Sequence, residues 1–316
     1  MLQEPISNDV QSLISELYPG SQWVIEPLSG GMTNRNFLVT VSRATGEAER
    51  VVVQEQLPDD VAETLGIVRS NQFAVLHEIE DLGLAPRLIC YDRRSRLLVA
   101  EYIDAVPFDE LEDRAGAIAR FGTALSTLHH ATEGSQLRGR ISDPFSGTQW
   151  LYDRVAKAVP VEAEKHAWAM EALNRFEKAR GPYVEAICHS DLSPGNVLMT
   201  DEAAFLIDWE YVGAGDPYYD LGDFAEKFSL TREEKETLIS SYLGSVDETA
   251  LALVELYQFV SMLREALWCV MAGQIGFIDF DYATYAQECW TRVATVVRAE
   301  TFDANLEKLA EAKSGN

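Results

Sequence analysis

The sequence predicts an α+β fold in two parts: a small β-rich N-terminal lobe over residues 1–103 and a larger, mainly helical C-terminal lobe over residues 104–316. Three observations predict it. Short apolar runs in the first hundred residues follow the order β-β-β-α-β-β. From Leu111 onward, apolar residues recur mostly at helical spacing. Within the helical part, Ile187–Glu210 reads as three short apolar runs with polar groups at their ends, the way a rigid scaffold presents chemistry.

Taken in order, residues 1–22 read as an amphipathic helix ending at Tyr18-Pro19-Gly20, followed by strands at Trp23–Pro27 and Phe37–Val41. Between those strands lies Leu-Ser-Gly-Gly-Met-Thr-Asn, Leu28 to Asn34. A Gly-Gly turn lets backbone N–H groups approach a phosphate closely. This makes Ser29, Gly30, Gly31, Thr33 and Asn34 candidates for nucleotide binding, although the run taken alone also fits an ordinary hairpin. Arg50–Gln56 is a third strand centred on Val51, Val52 and Val53. Gln72–Leu82 has helical spacing through Phe73, Leu76 and Ile79, and Gly83 ends it. Strands at Arg87–Tyr91 and Leu97–Tyr102 lead to a hinge at Ile103–Pro107, where backbone groups near Glu101 and Ile103 suit the edge of an adenine. Helices are expected at Ala115–His130, Trp150–Val159 and Glu162–Arg180, and then at about 220–229, 231–244, 247–273 and 279–312.

Hydrophobic residues make up 47% of the chain and charged residues 24%, as in ordinary globular proteins. The N-terminal residues lack a targeting pattern and no uncharged stretch is long enough to span a bilayer, so a cytoplasmic protein without membrane insertion is expected. The four scattered cysteines, Cys90, Cys188, Cys269 and Cys289, read as reduced thiols. The net charge of −25 argues against nucleic acid. It permits a cationic small-molecule substrate, and serves solubility equally well. Nothing in the pattern specifies an oligomer.

The chemistry concentrates in Ile187–Glu210. His189-x-Asp191-x-x-x-x-Asn196, followed by an apolar-flanked Asp208, has the spacing of kinase-like phosphoryl-transfer sites. Asp191 is placed to take a proton from a substrate hydroxyl. Asn196 and Asp208 offer hard oxygens that suit Mg²⁺ on nucleotide phosphates. Pro194-Gly195 turns Asn196 back towards Asp191. His189 is expected to hold the loop together. Glu210 reaches either a metal, through water, or the substrate. Asp220 is read as the N-cap of the next helix and as a hydrogen-bonding brace for the loop.

These runs, His-Ser-Asp-Leu-Ser-Pro-Gly-Asn-Val-Leu and then Ile-Asp-Trp-Glu-Tyr-Val-Gly-Ala-Gly-Asp-Pro-Tyr-Tyr-Asp-Leu, resemble the aminoglycoside phosphotransferase and choline kinase superfamily. The Leu28–Phe37 run and Leu267-Trp268 followed by Ile278–Ala286 are similar to its choline/ethanolamine kinase branch. The resemblance covers nearly the whole chain. It implies a protein-kinase-like pair of lobes with ATP at the hinge, Asp191 as catalytic base, and Mg²⁺ on Asn196 and Asp208. One departure stands out. The superfamily's third strand normally carries Lys or Arg towards the nucleotide phosphates, held by a Glu on the following helix. Here the matching positions are Gln54 and Gln72, and the first lysine of the chain is Lys157. Either the uncharged pair keeps the geometry without the charge, or the register differs and Arg50 or Arg69 supplies it.

For the acceptor, aromatic faces beside a carboxylate suit an ammonium group. Glu265 and Trp268 fall at i and i+3 on one helix face, with Tyr285 among the nearby aromatics of the C-terminal helices. With Glu210, these are the candidate substrate contacts, although aromatics at helical spacing equally fit a core. The expected activity is Mg-ATP-dependent phosphorylation of a choline- or ethanolamine-like amino alcohol. The alternatives are an aminoglycoside or another hydroxylated metabolite as acceptor, or a catalytically weak kinase-like binding protein.

Overall fold

Alternating burial along the early strands makes one face of an antiparallel sheet. The computed structural model describes residues 6–28, 33–42, 48–276 and 280–314. Ser29, Gly30 and Gly31 of the expected phosphate turn lie outside the described residues, as does Ile278 of the C-terminal run.

Two units emerge, one of residues 1–61 and 85–104, the other of residues 62–84 and 105–316. The first holds helix α1 (Asn8–Leu17) and strands β1 (Gln22–Leu28), β2 (Arg35–Ser42), β3 (Ala48–Glu55), β4 (Leu88–Asp92) and β5 (Leu97–Glu101), in the order β1-β2-β3-β5-β4 with every neighbour antiparallel. Phe37, Val39 and Val41 of β2, Val51 and Val53 of β3, and Leu97 and Val99 of β5 point to one face. Against them α1 packs Val10, Leu13 and Ile14, its apolar stripe being the i, i+3, i+4 set. Ser7 caps α1 by accepting from the Val10 amide. Each buried side chain of this size contributes about 1.5–3 kcal/mol, so the shared face suffices to fix the register.

Helix α2 (Asp59–Thr64) follows the third strand and was not anticipated. The second unit carries α3 (Arg69–Glu78), α4 (Arg114–Ala131), α5 (Pro144–Ala158), α6 (Pro160–Arg180), strands β6 (Ala186–Cys188), β7 (Val197–Met199), β8 (Ala204–Leu206) and β9 (Gly213–Gly215), then α7 (Pro217–Lys227), α8 (Arg232–Leu243), α9 (Glu248–Ile275), α10 (Tyr282–Arg298) and α11 (Glu300–Ser314). Helix α9 is apolar on nearly every side, as a helix enclosed by neighbours must be. It packs against α5, α7, α10 and α11. Gly222 permits the approach of α7. A Cβ there would sit 2.9 Å from the Tyr257 carbonyl carbon and inside van der Waals contact of the Tyr257 Cβ.

Three expectations change. The helix expected from 72 to 82 begins at Arg69 and passes at Glu80–Leu82 into a 3₁₀ turn, ended by Gly83 at φ 67°. The C-terminal helix expected over 279–312 is two helices. Ala299 is extended (φ −74°, ψ 142°), and the turn lets Phe302 bury itself against Phe259 while Trp290 and Val293 stay buried on α10. Asp220 is not an N-cap: Asp216 caps α7 by accepting from the Tyr218 amide at 3.0 Å, with Pro217 at the first helical position. Asp220 lies one turn inside.

Candidate active site

The loop that follows β6 is held from below. β6 is fully buried and pairs with β9, Ile187 opposite Ala214. Its continuation cannot run straight on, because Ser190 is left-handed at φ 69°. Non-glycine residues rarely adopt such a conformation without compensation. Asp220 compensates. Its Oδ2 accepts from the His189 amide at 2.8 Å and its Oδ1 from the Ser190 amide at 3.0 Å. Asp223, one turn on, accepts from the Leu192 amide at 2.7 Å and from the Ser261 hydroxyl of α9 at 2.5 Å. Both carboxylates are buried. The expected bracing by Asp220 is thus present, delivered from inside the helix instead of its start.

His189 closes the loop from within. The Asp191 amide donates to its Nδ1 at 3.3 Å, which leaves the proton on Nε2 to donate to the Ile207 carbonyl at 2.9 Å. Burial pushes its pKa below the ordinary histidine value, in keeping with a neutral ring that both accepts and donates. The turn after it places the Asn196 amide 2.9 Å from the Ser193 carbonyl. Gly195 needs no glycine freedom there: its φ is not positive, and an added Cβ would meet nothing within 4 Å.

Asn196 donates from Nδ2 to the Asp191 backbone carbonyl at 3.0 Å and to Asp191 Oδ2 at 2.9 Å. The β7–β8 hairpin, Val197 opposite Leu206, continues in a bond from the Ile207 amide to the Asn196 carbonyl at 3.0 Å. Asp208 is the next residue, in left-handed backbone (φ 62°, ψ 59°). The structure therefore brings Asp191, Asn196 and the Asp208 backbone to one end of one hairpin. Burial raises the Asp191 carboxyl to a pKa of about 6, against the pull of Lys227, while Asp223 and Glu265 add to the rise. With its Nδ2 committed to Asp191, Asn196 has its amide oxygen left to offer a cation. An amide oxygen beside a carboxylate is a hard donor set that fits Mg²⁺.

The candidate substrate residues divide. Glu265 binds Lys227 of α7, Oε2 to Nζ at 2.6 Å. Trp268, one turn later on α9, donates from Nε1 to the Tyr211 hydroxyl at 2.8 Å, and its ring lies 6.1 Å from that of Tyr282. Tyr285 is half-buried, and both Glu265 and Lys227 act on its hydroxyl. Glu210 is buried, with Oε1 3.8 Å from Arg69 Nη1. Of the other aromatics, Tyr257 donates to Asp216, and Trp290 stacks on His166 with centroids 3.7 Å apart.

In the β-rich unit, Gln54 sits on β3 opposite Asn36 and Leu98, and accepts from Gln56 Nε2 at 3.1 Å. Asn34 is buried and accepts from the Leu57 amide at 3.4 Å; Thr33 is half-buried. The Glu101 amide donates to the Arg87 carbonyl at 3.0 Å, and Ile103 follows the end of β5. Arg50 is engaged elsewhere, 2.8 Å from Asp104 and over the Tyr102 ring. Gln72 is buried on α3 in the helical unit.

Asp223 and Lys227 escaped the sequence reading. The signal was present: Asp216, Asp220, Asp223 and Lys227 recur at i+4, i+3 and i+4, so they share one face of α7.

A model of the phosphotransferase enzyme family matches residues 24–254. Protein LicA of Haemophilus influenzae is 28% identical over 116 residues, a match that spans 34% of this chain and only 43% of that protein. A probable choline kinase 3 of Arabidopsis thaliana is 30% identical over 301 residues, covering 84% of each chain. A choline/ethanolamine kinase family protein from Mesorhizobium loti superposes with a TM-score of 0.77 at 23% identity, over 96% of this chain and 99% of the other. The kinase-like fold, β-rich unit and helical unit alike, is thereby that of known phosphotransferases.

Proposed function

From the phosphotransferase enzyme family, to which this chain belongs, we propose that it transfers the γ-phosphoryl group of ATP to a hydroxyl of a small amino alcohol of the choline or ethanolamine class. The observation that carries this reading is the Asp191–Asn196 pair at the hairpin end. A raised carboxyl held by an amide suits a general base, since its strength lies near the pH at which it works.

The acceptor hydroxyl oxygen attacks the γ-phosphorus. Its proton passes to the Asp191 carboxylate, the new O–P bond forms, and the bond to the bridging oxygen breaks to release ADP. Asn196 keeps Asp191 in one orientation for that transfer. Asn196 and Asp208 would hold Mg²⁺, which when bound offsets phosphate charge. Trp268, Tyr285 and Glu265 supply aromatic and acidic groups to the amine end. The residues assigned to the nucleotide are the Ser29–Asn34 run, Gln54, Glu101 and Ile103 of the β-rich unit, and Gln72 of the helical unit.

A second reading, a kinase-like binding protein with weak catalysis, is favoured by the uncharged Gln54 and Gln72. One experiment separates the two. Wild type and Asp191→Ala are compared for transfer from Mg-ATP to a panel of hydroxylated amines, aminoglycosides included. Transfer to an amino alcohol by the wild type alone supports the enzyme; transfer to an aminoglycoside alone replaces the acceptor class; retained ligand binding without any transfer favours the binding protein.

A further inference from the structure

The acceptor's charge can be argued from the groups one helical turn above the loop. Leu192, beside Asp191, is held by Asp223 of α7, which is in turn bonded to Ser261 of α9. Each of these helices advances four residues to the next rung: Asp223 to Lys227 and Ser261 to Glu265. That rung is the 2.6 Å ion pair. A step of four residues is about 6 Å along a helix, so the pair stands within a small molecule's length of the base. Its side chains keep 15% and 16% of their surface exposed, so the pair is largely but not wholly enclosed.

An acceptor bearing only an ammonium group fits this rung poorly. Glu265 is already neutralised by Lys227, and a second cation would have to share its carboxylate while lying close to a lysine of like charge. An acceptor with an ammonium and a carboxylate on one carbon satisfies both: its carboxylate pairs with Lys227, its ammonium with Glu265, and the four charges alternate. The ion pair then serves as a closed form of the site that a zwitterion opens without leaving a charge unpaired.

We propose that the acceptor is zwitterionic, a hydroxylated amino acid whose carboxylate is recognised by Lys227 and whose ammonium is recognised by Glu265. This rests on the reading of the chain as a phosphotransferase that acts on a hydroxylated amine with Asp191 as base, and it replaces the amino alcohol by its carboxylated counterpart as acceptor. Lys227 is then the residue that discriminates an amino acid from the amino alcohol lacking its carboxylate.

The test uses two matched pairs as acceptors with Mg-ATP: L-serine against ethanolamine, and L-homoserine against 3-aminopropanol. Members of each pair differ by one carboxylate. The expected result is a kcat/KM for one amino acid at least about tenfold above its partner amine, the discrimination a site with a dedicated polar partner provides. Lys227→Met removes that preference through KM, and Lys227→Arg keeps it. A wild-type preference for the amines, or none, overturns the zwitterion and leaves the amine-directed enzyme standing. A preference that survives Lys227→Met removes Lys227 from recognition. Transfer to neither member of either pair overturns the zwitterion and leaves the amino alcohol class to the wider acceptor panel. If Lys227→Met does not fold, the wild-type ratios and Lys227→Arg decide the matter unaided.

Discussion

Asn196 turns its side-chain amide onto Asp191, with Nδ2 3.0 Å from the Asp191 carbonyl oxygen and 2.9 Å from Oδ2. One amide thus fixes both the backbone and the carboxylate of the proposed base. Asp191→Ala is expected to lower kcat at least ~10²-fold, the scale of losing a general base. Asn196→Ala, which leaves the carboxylate present but unheld, should lower it by about 10–100-fold, as loss of a supporting partner does. Steady-state transfer kinetics on variants with wild-type circular dichroism check this. An unchanged kcat in Asp191→Ala would take the base role from it.

Asp220 carries no chemistry in this scheme, yet its removal should be among the most damaging changes. It satisfies two successive buried amides, and His129 Nε2 lies 3.2 Å from its Oδ2. Each buried donor left without an acceptor costs about 1–3 kcal/mol. Asp220→Ala should therefore lose about 3 kcal/mol or more in urea denaturation, and Asp220→Asn, which keeps one acceptor and the shape, clearly less. Equal losses in the two variants would contradict this account.

Two glycines should behave oppositely. Gly222→Ala drives a methyl into the Tyr257 backbone where α7 crosses α9, and overpacking of this kind costs about 1–3 kcal/mol. Gly195→Ala, in open space at negative φ, should stay within about 0.5 kcal/mol of wild type. Thermal melts of both variants decide it.

Acid should destabilise the fold through His166. Its ring is sandwiched against Trp290, and burial lowers its pKa from 6.5, outweighing the pull of Glu162. A group with a lowered pKa binds more protons unfolded than folded. Its contribution is complete above the unfolded value of 6.5 and declines as pH falls from there towards the folded pKa. His189 has a shift of the same sign. Melting temperature should fall as pH drops below 6.5, and His166→Phe, which retains the stack, should flatten that slope. Parallel curves would exclude His166 as a source.

By the sequence resemblance, Gln54 occupies the third-strand position expected to carry a cation. Gln54→Lys should lower the KM for Mg-ATP by about tenfold, the worth of one charge-assisted hydrogen bond. Equal KM values would remove Gln54 from phosphate contact.

Much of this molecule is set by local sequence alone. The alternation of β2 and β3, the stripe of α1 and the spacing His189–Asp191–Asn196–Asp208 need only near neighbours, because strand and helix periods dictate which side chains share a face. The chain-breaking signals were also local, and Asp216-Pro217 marks the start of α7 more plainly than Asp220 does. What needed the tertiary structure were choices between partners. No stop signal precedes Ala299; the break there exists because Phe302 finds Phe259 on another helix. Glu265 reads as an acidic contact for an amine until α7 brings Lys227 within 2.6 Å of it. Which charges meet depends on how helices cross, as α7 and α9 do in close approach at Gly222, and that information is distributed over residues far apart in the chain.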